Sequence, residues 1–337
     1  MMNKRIKFSV LVSVLAAALI LAVSLSLLCG QYQISAGHIW QMVCSFSGDG
    51  QLPLQEEAVF WNIRMPRTLA GILTGGAFAG AGAIMQGLFR NPLADPGMLG
   101  VASGASFGAV IAISAGWSAV TIYSLPLCAF CGAALAVLLV VFLGRRQGRV
   151  PLLTLLLSGV VIGMMFSALT ASILMFTNEQ KIQQYIFWTV GGLDYRRWEH
   201  LQLGFLPIAG GLLLACLFSR QLNLLSFGEM TARTTGLAVN KYRLFFLFLG
   251  SLLTAAAVCI SGTMVFVGLI VPHALRLLLG PDQRQLLPAS VLAGAVFVLF
   301  CDTLGRVILP GSEIRVGIMT SLAGAPYFLY LLRKIKS

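Results

Sequence analysis

Few side chains in this sequence have types and spacing suited to chemistry, and those few point to recognition of charge, not to catalysis. Three histidines, His38, His200 and His273, stand in widely separated segments. No GxxxxGK[ST] loop precedes any lysine, so the chain encodes no phosphate cradle for ATP. HExxH, GxSxG and paired-carboxylate patterns are equally missing from its apolar segments. Cys128 and Cys131 form a CxxC, but inside an apolar run with no histidine or second CxxC nearby, and read as buried apolar thiols. The sequence thus predicts no catalytic residue, no metal ligand set and no cofactor held by this chain. What remains is three arginines at the edges of apolar segments, Arg64, Arg67 and Arg306, and a short polar loop around Glu229. A basic ring of this kind suits acidic side chains of an external protein. The plainer alternative is snorkelling to headgroups, or pairing with Asp302 or Glu313 inside the chain.

The elements that must position these residues follow from composition. At 58% hydrophobic and 10% charged residues, the 337-residue chain is far from the roughly 25% charge of soluble domains. Apolar segments at 8–29, 67–89, 98–115, 120–143, 151–176, 200–218, 242–261, 264–280, 286–304 and 316–332 are spaced as membrane spans of about 20 residues. The expected fold is all-α and polytopic, a single membrane domain over 1–337 with about ten transmembrane helices. Basic residues concentrate in the segments on the side of the N-terminus, placing both termini in the cytoplasm. The net charge of +12 is therefore read as membrane topology, with no nucleic-acid partner. The apolar run after Lys4, Arg5 and Lys7 exceeds a signal h-region and reads as a retained first span. Aromatics Tyr185, Trp188, Tyr195 and Trp198 read as an interfacial belt.

Residues 64–104 hold the most specific pattern. A glycine-rich apolar helix follows Arg64 and Arg67, with Gly71/Gly75 and Gly76/Gly80 at the four-residue spacing that lets helix backbones approach closely. Gln86 lies near its end. The run Arg90-Asn91-Pro92-Leu93-Ala94-Asp95-Pro96-Gly97 then stops the helix and turns the chain into the next span. A fainter echo, glycine and apolar helix with Pro272 and His273, recurs at 262–280. His273 reads as a packing residue.

The loop at 219–240 is the sizeable internal connection. Ser226 or Gly228 is expected to cap a short helix with Glu229 in its first turn, and Gly236 to end it. Such a helix suits a cleft in a cytoplasmic partner, or the lipid headgroups. The segment 151–176, with Thr154, Ser158, Gly159, Gly163, Met164 and Ser167, suits either a wide passage or plain packing.

Taken together, the RxPR…RNPLADPGMLG block, the 226–236 loop, FVGLIVPHALR and SEIRVGIMTSLAGAPYFLYLL resemble the permease subunits of FecCD-type, binding-protein-dependent ABC importers for iron-siderophores, haem and vitamin B12. The resemblance spans about 64–332. It implies a permease in the cell (inner) membrane of a bacterium, working by alternating access at the interface with a second copy or a close paralogue. It also implies two cytoplasmic ATPase subunits, which hold ATP and Mg, and an external substrate-binding protein. By motif position, Ser226, Phe227, Gly228, Glu229, Ala232 and Gly236 belong to the ATPase coupling segment. Arg64, Arg67 and Arg306 meet carboxylates of the binding protein. Arg149, Leu152, Leu153, Thr154, Ser158, Gly159, Gly163, Met164 and Ser167 line or gate the passage. Gln86, Asn91, Pro92, Asp95, Pro96, Pro272 and His273 belong to structural motifs. The expected cargo is a metal chelate, foremost a ferric siderophore, with haem, cobalamin or an oxyanion as alternatives within the family. Two departures stand out: Arg315 replaces a usual proline, and Thr235 a usual leucine. An ion-coupled secondary transporter is the alternative class, with Asp302 the acid it would need.

Overall fold

Once water is excluded, a segment must satisfy its backbone hydrogen bonds internally, and helices do so. The computed structural model describes residues 4–44, 53–145, 150–309 and 311–335. Its helices are α1 (Lys4–Leu28), α2 (Ala36–Cys44), α3 (Leu54–Val59), α4 (Met65–Phe89), α5 (Val101–Ser114), α6 (Ser124–Gly144), α7 (Leu152–Met175) and α8 (Glu179–Val190). They continue with α9 (Trp198–Leu217), α10 (Ser219–Ser226), α11 (Glu229–Thr234), α12 (Val239–Ser261), α13 (Val267–Leu279), α14 (Gln283–Val307) and α15 (Val316–Ile335). Each predicted apolar segment is one of these helices, with ends displaced by no more than about four residues. Among the described residues, seven helical stretches are long and apolar enough to cross a membrane, and α5, α13 and α15 are shorter apolar helices. One boundary differs more. A five-residue π-helical stretch, Phe60–Arg64, joins α3 to α4, so one apolar helix runs continuously over Leu54–Phe89.

The glycines sort these helices. In α4, 83% of the most apolar window is buried, and in α12 78%, against 17% in α1 and 22% in α7. A helix that is apolar all round and buried all round belongs at the centre. The close approaches that put it there occur at glycine pairs. Gly75 faces Gly294 of α14 and Gly82 faces Gly268 of α13, and a Cβ at any of the four would intrude on the opposing backbone or its neighbours. The α5–α6 pair crosses in the same way at Gly104 and Gly132.

The echo seen in the sequence is structural. Each central helix passes through a left-handed residue into a short helix: α4 through Gly100 (φ 72) into α5, and α12 through Phe266 (φ 72) into α13. A phenylalanine in this region is rare. Its ring packs near that of Phe328 on α15, with centroids 6.5 Å apart. The turn after α4 is built by its polar residues. Arg90 adopts φ 53 at the C-cap, Asn91 Oδ1 accepts from the Leu93 N–H (3.0 Å), and Asp95 Oδ1 from the Gly97 N–H (2.7 Å). Burial pushes the Asp95 carboxyl above its ordinary pKa, with the Gly97 N–H opposing. Gln86 then ties α4 to α13 by donating to the Leu269 carbonyl at 3.0 Å. Trp188, expected at the interface, is instead buried, because α8 folds back until Gly191 and Gly192 meet Ser261, Gly262 and Gly317.

Candidate functional site

The outer arginines lie where α1, α4 and α14 converge. Arg67 forms a fork on Asp302, with Nε 3.0 Å from Oδ2 and Nη2 2.9 Å from Oδ1, while Nη1 donates to Glu313 Oε2 at 2.7 Å. Arg306 reaches the same carboxylate from one turn along α14 (Nε to Oδ2, 3.2 Å). Its Nη atoms donate to the Ser26 carbonyl (3.1 Å), the Ser26 hydroxyl (3.0 Å) and the Cys29 carbonyl (3.1 Å). Arg64 donates to the carbonyls of Leu27, Leu28 (3.0 Å) and Tyr32. The last carbonyls of a helix lack partners within it, and Arg64 and Arg306 together supply them for α1. Lipid gives a peripheral apolar helix little reason to stay against its neighbours. This polar clasp, with a Ser26–Thr68 hydroxyl contact at 2.8 Å, holds α1 at its outer end.

The expectation of three arginines presented outward is thereby corrected. All three are buried, and Arg64 and Arg306 spend their Nη atoms on the end of α1 and the residues just after it, with Arg306 also on Thr303 of α14. Bare guanidinium groups at that depth would carry a desolvation cost with nothing to offset it. Asp302, the acid an ion-coupled transporter would need, is held between Arg67 and Arg306.

At the opposite end the polar loop forms two short helices. Ser226 caps nothing: it ends α10, its hydroxyl donating to the Asn223 carbonyl at 2.7 Å. Gly228 (φ 121) is the residue before α11. Ala232 is fully buried, and Gly236 (φ 79) closes the helix, with its N–H on the Arg233 carbonyl and the Leu237 N–H on that of Ala232. Phe227 and Met230 are 69% and 79% exposed, an apolar pair presented beside a polar helix. Glu229 Oε1 accepts from Arg233 (2.7 Å) and Oε2 from Arg243 of α12 (3.0 Å). Arg233 and Arg243 hold its carboxyl below the ordinary range. Arg243 is buried and also donates through Nη1 to the Val150 carbonyl, at 2.6 Å, just before α7. Sequence reading missed this residue, which joins the polar loop to the start of α7.

On α7 the predicted passage residues divide. Leu153, Met164 and Ser167 are exposed, and Leu152, Thr154, Ser158 and Gly163 are half-buried. Gly159 is buried where α7 crosses the Met98 carbonyl and Leu99, so it seats the helix and lines nothing. Arg149 lies outside the described residues. The outward face also carries Leu157, Val160, Val161, Met165 and Leu169. No acidic or basic side chain stands on α7. Pro272 is buried within α13 and His273 half-buried, and no group of three or more potential metal ligands occurs among the described residues.

The sequence model of the FecCD transport family matches residues 18–334. This chain belongs to the FecCD transport family. As a FecCD permease it is 40% identical over 282 residues to the cobalamin import system permease protein BtuC of Halobacterium salinarum, covering 84% of this chain and 75% of that one. It is also 40% identical over 277 residues to the hemin transport system permease protein HmuU of Yersinia pestis, covering 81% and 83%. A solved inward-facing conformation of a metal-chelate type ABC transporter superposes with a TM-score of 0.85 at 32% identity, over 97% of this chain and 99% of that one. The FecCD permease is therefore a multi-pass inner-membrane permease subunit of the ABC-importer type. Membership implies ATPase and binding-protein partners, and the ion-coupled alternative is set aside.

Proposed function

We propose that this permease carries a ferric siderophore inward, at an interface formed by two copies, driven by separate ATPase subunits that hold ATP and Mg. The observation that carries the reading is the exposed face of α7, apolar with no fixed charge. A chelate that already saturates its metal needs width and a weakly interacting wall, and no protein ligand for the metal. A charge on the wall would either trap an oppositely charged chelate or repel a like-charged one. In the same reading α11, with Phe227 before it and Met230 in its first turn, seats in the ATPase, and Arg67 receives the external binding protein.

Haem or cobalamin is the second reading, favoured by the hemin and cobalamin systems to which the two relatives at 40% identity belong. The test is uptake into proteoliposomes holding the permease with its ATPase, ATP enclosed and the cognate binding protein outside. Labelled ferric siderophore, haem and cobalamin are offered in parallel. Siderophore accumulation that needs both ATP and the binding protein supports the proposal. Accumulation of haem or cobalamin alone replaces the cargo but keeps the mechanism.

A further inference from the structure

Arg67 is the least deeply buried of the three outer arginines, at 8% exposed against 3% for Arg64 and 4% for Arg306, and one of its nitrogens meets a carboxylate that is itself partly open to solvent. Its Nε and Nη2 are committed to Asp302, whose side chain is 1% exposed. Its Nη1 meets Glu313, whose side chain is 33% exposed. Glu313 stands outside any helix, in the connection from α14 to α15, with exposed Gly311 and Ser312 before it. The network around Arg67 holds three cations, Arg64, Arg67 and Arg306, against two acids, Asp302 and Glu313. Asp302 is locked in place by contacts from both sides, whereas Glu313 has a single ion pair, to Nη1, and an exposed backbone around it.

We propose that Glu313 is an internal stand-in for a carboxylate of the external binding protein, holding the free edge of Arg67 until an acidic side chain of that partner displaces it. The proposal rests on the reading of Arg67 as the docking arginine. Displacement exchanges one carboxylate for another on the same Nη1, so the guanidinium is never left buried and unpaired. Docking then has to outcompete an acid already in position, and the apparent affinity is lowered by the fraction of time Glu313 is bound. Such competition weakens a docking that the transport cycle must also reverse. It also makes the site selective: a partner with a neutral side chain in that place cannot remove Glu313. With Glu313 gone, the remaining network carries a larger uncompensated positive charge and attracts an acid more strongly.

The test measures binding of the purified cognate binding protein to the intact transporter, permease with ATPase, in nanodiscs at low salt. Glu313→Gln keeps the shape and removes the charge, at an exposed site where folding is not at stake. Docking should tighten by roughly tenfold. Unchanged or weaker docking in Glu313→Gln would sink the stand-in idea. A second variant, Arg67→Gln with Asp302→Asn, removes the buried pair together and leaves Arg306 its contacts to the Ser26 and Cys29 carbonyls; monodispersity on gel filtration confirms its fold. It should weaken docking by at least tenfold, and adding Glu313→Gln to it should change nothing further. If the paired variant docks like the parent, Arg67 is not a docking residue and both readings fall. If it weakens docking while Glu313→Gln has no effect, docking at Arg67 stands and the stand-in alone is overturned.

Discussion

The two ends of this permease each hold arginines against acids, and they are built oppositely. At the outer end, Arg64, Arg67 and Arg306 are buried around Asp302 and the final carbonyls of α1, and Glu313 supplies the single half-open contact. At the inner end, Glu229 is 44% exposed and Arg233 48%, with Arg243 alone buried. A buried network whose charges are each held by an acid or by backbone carbonyls is costly to break, because removing the shared acid strands a charge. An exposed one is screened and exchanges readily with water. The outer cluster is thus a frame that fixes three helices, and the inner one a clasp that can open and close. That difference suits an importer whose outer end receives a rigid partner while its inner end follows a moving one.

Asp302→Ala is the most severe way to break the comparison. It leaves Arg67 and Arg306 facing each other, and should cost about 3–5 kcal/mol, read as a large fall in the thermal unfolding temperature in detergent. An unaltered unfolding temperature would mean that the outer cluster is no frame. Arg243→Ala comes next. It removes a donor from the Val150 carbonyl and a partner from Glu229, at about 1–3 kcal/mol of local stability. Hydrogen exchange should rise at 150–156 and 229–237 together, and the substrate moved per ATP should fall. Faster exchange in 229–237 alone would show that Arg243 does not join the two segments. Salt sharpens the contrast further: raising ionic strength from 0.05 to 0.5 M should speed exchange in α11 by a few-fold and leave the outer ends of α4 and α14 unchanged.

The smallest expected effect is with pH. Arg233 and Arg243 lower the Glu229 pKa from its ordinary 4.5. A lowered folded value means that the clasp is at full strength above pH 4.5 and is lost as pH falls through the folded value. Exchange in α11 should therefore be flat from neutral pH down to about 4.5 and accelerate below it, after correction for intrinsic rates. Glu229→Gln should remove that pH dependence.

Much of this was open to reading in the residues, for identifiable reasons. Apolar runs bounded by charge and proline mark helices without reference to what packs on them, so each predicted apolar segment is a helix, seven of the helical stretches among the described residues being long enough to span. The glycine spacing of α4 announced a central helix, since small residues at four-residue intervals have one principal use in lipid. Gly236 ended α11 as its lack of a Cβ allows. What a local pattern does not carry is the identity of a distant mate. Arg67 and Asp302 lie 235 residues apart, and an arginine at a span edge reads alike whether its carboxylate is inside the chain or on another protein. Arg243 lay hidden among inner basic residues that topology already explains. Gly159 had the same composition cue as its neighbours on α7, and only the crossing of the Met98 carbonyl turned it inward. Trp188 misled because α8 folds back into the helices, a path set by contacts at Gly191 and Gly317.

The clasp on α1 has a mechanical consequence. The described buried residues of this helix are Ala22, Ser26 and Leu27, all in its outer part, where Arg64 and Arg306 also grip it. Among the described residues of its inner half, Leu11 and Leu15 pack partly buried against the core, with no polar clasp like the outer one. A rod pinned at one end can tilt through several degrees in a bilayer, at fractions of a kcal/mol per ångström of mismatch. α1 can thus follow changes in local membrane thickness or in the girth of the bundle without passing strain to α4. It acts as an outrigger, hinged on the outer side and held on the inner by apolar contact alone.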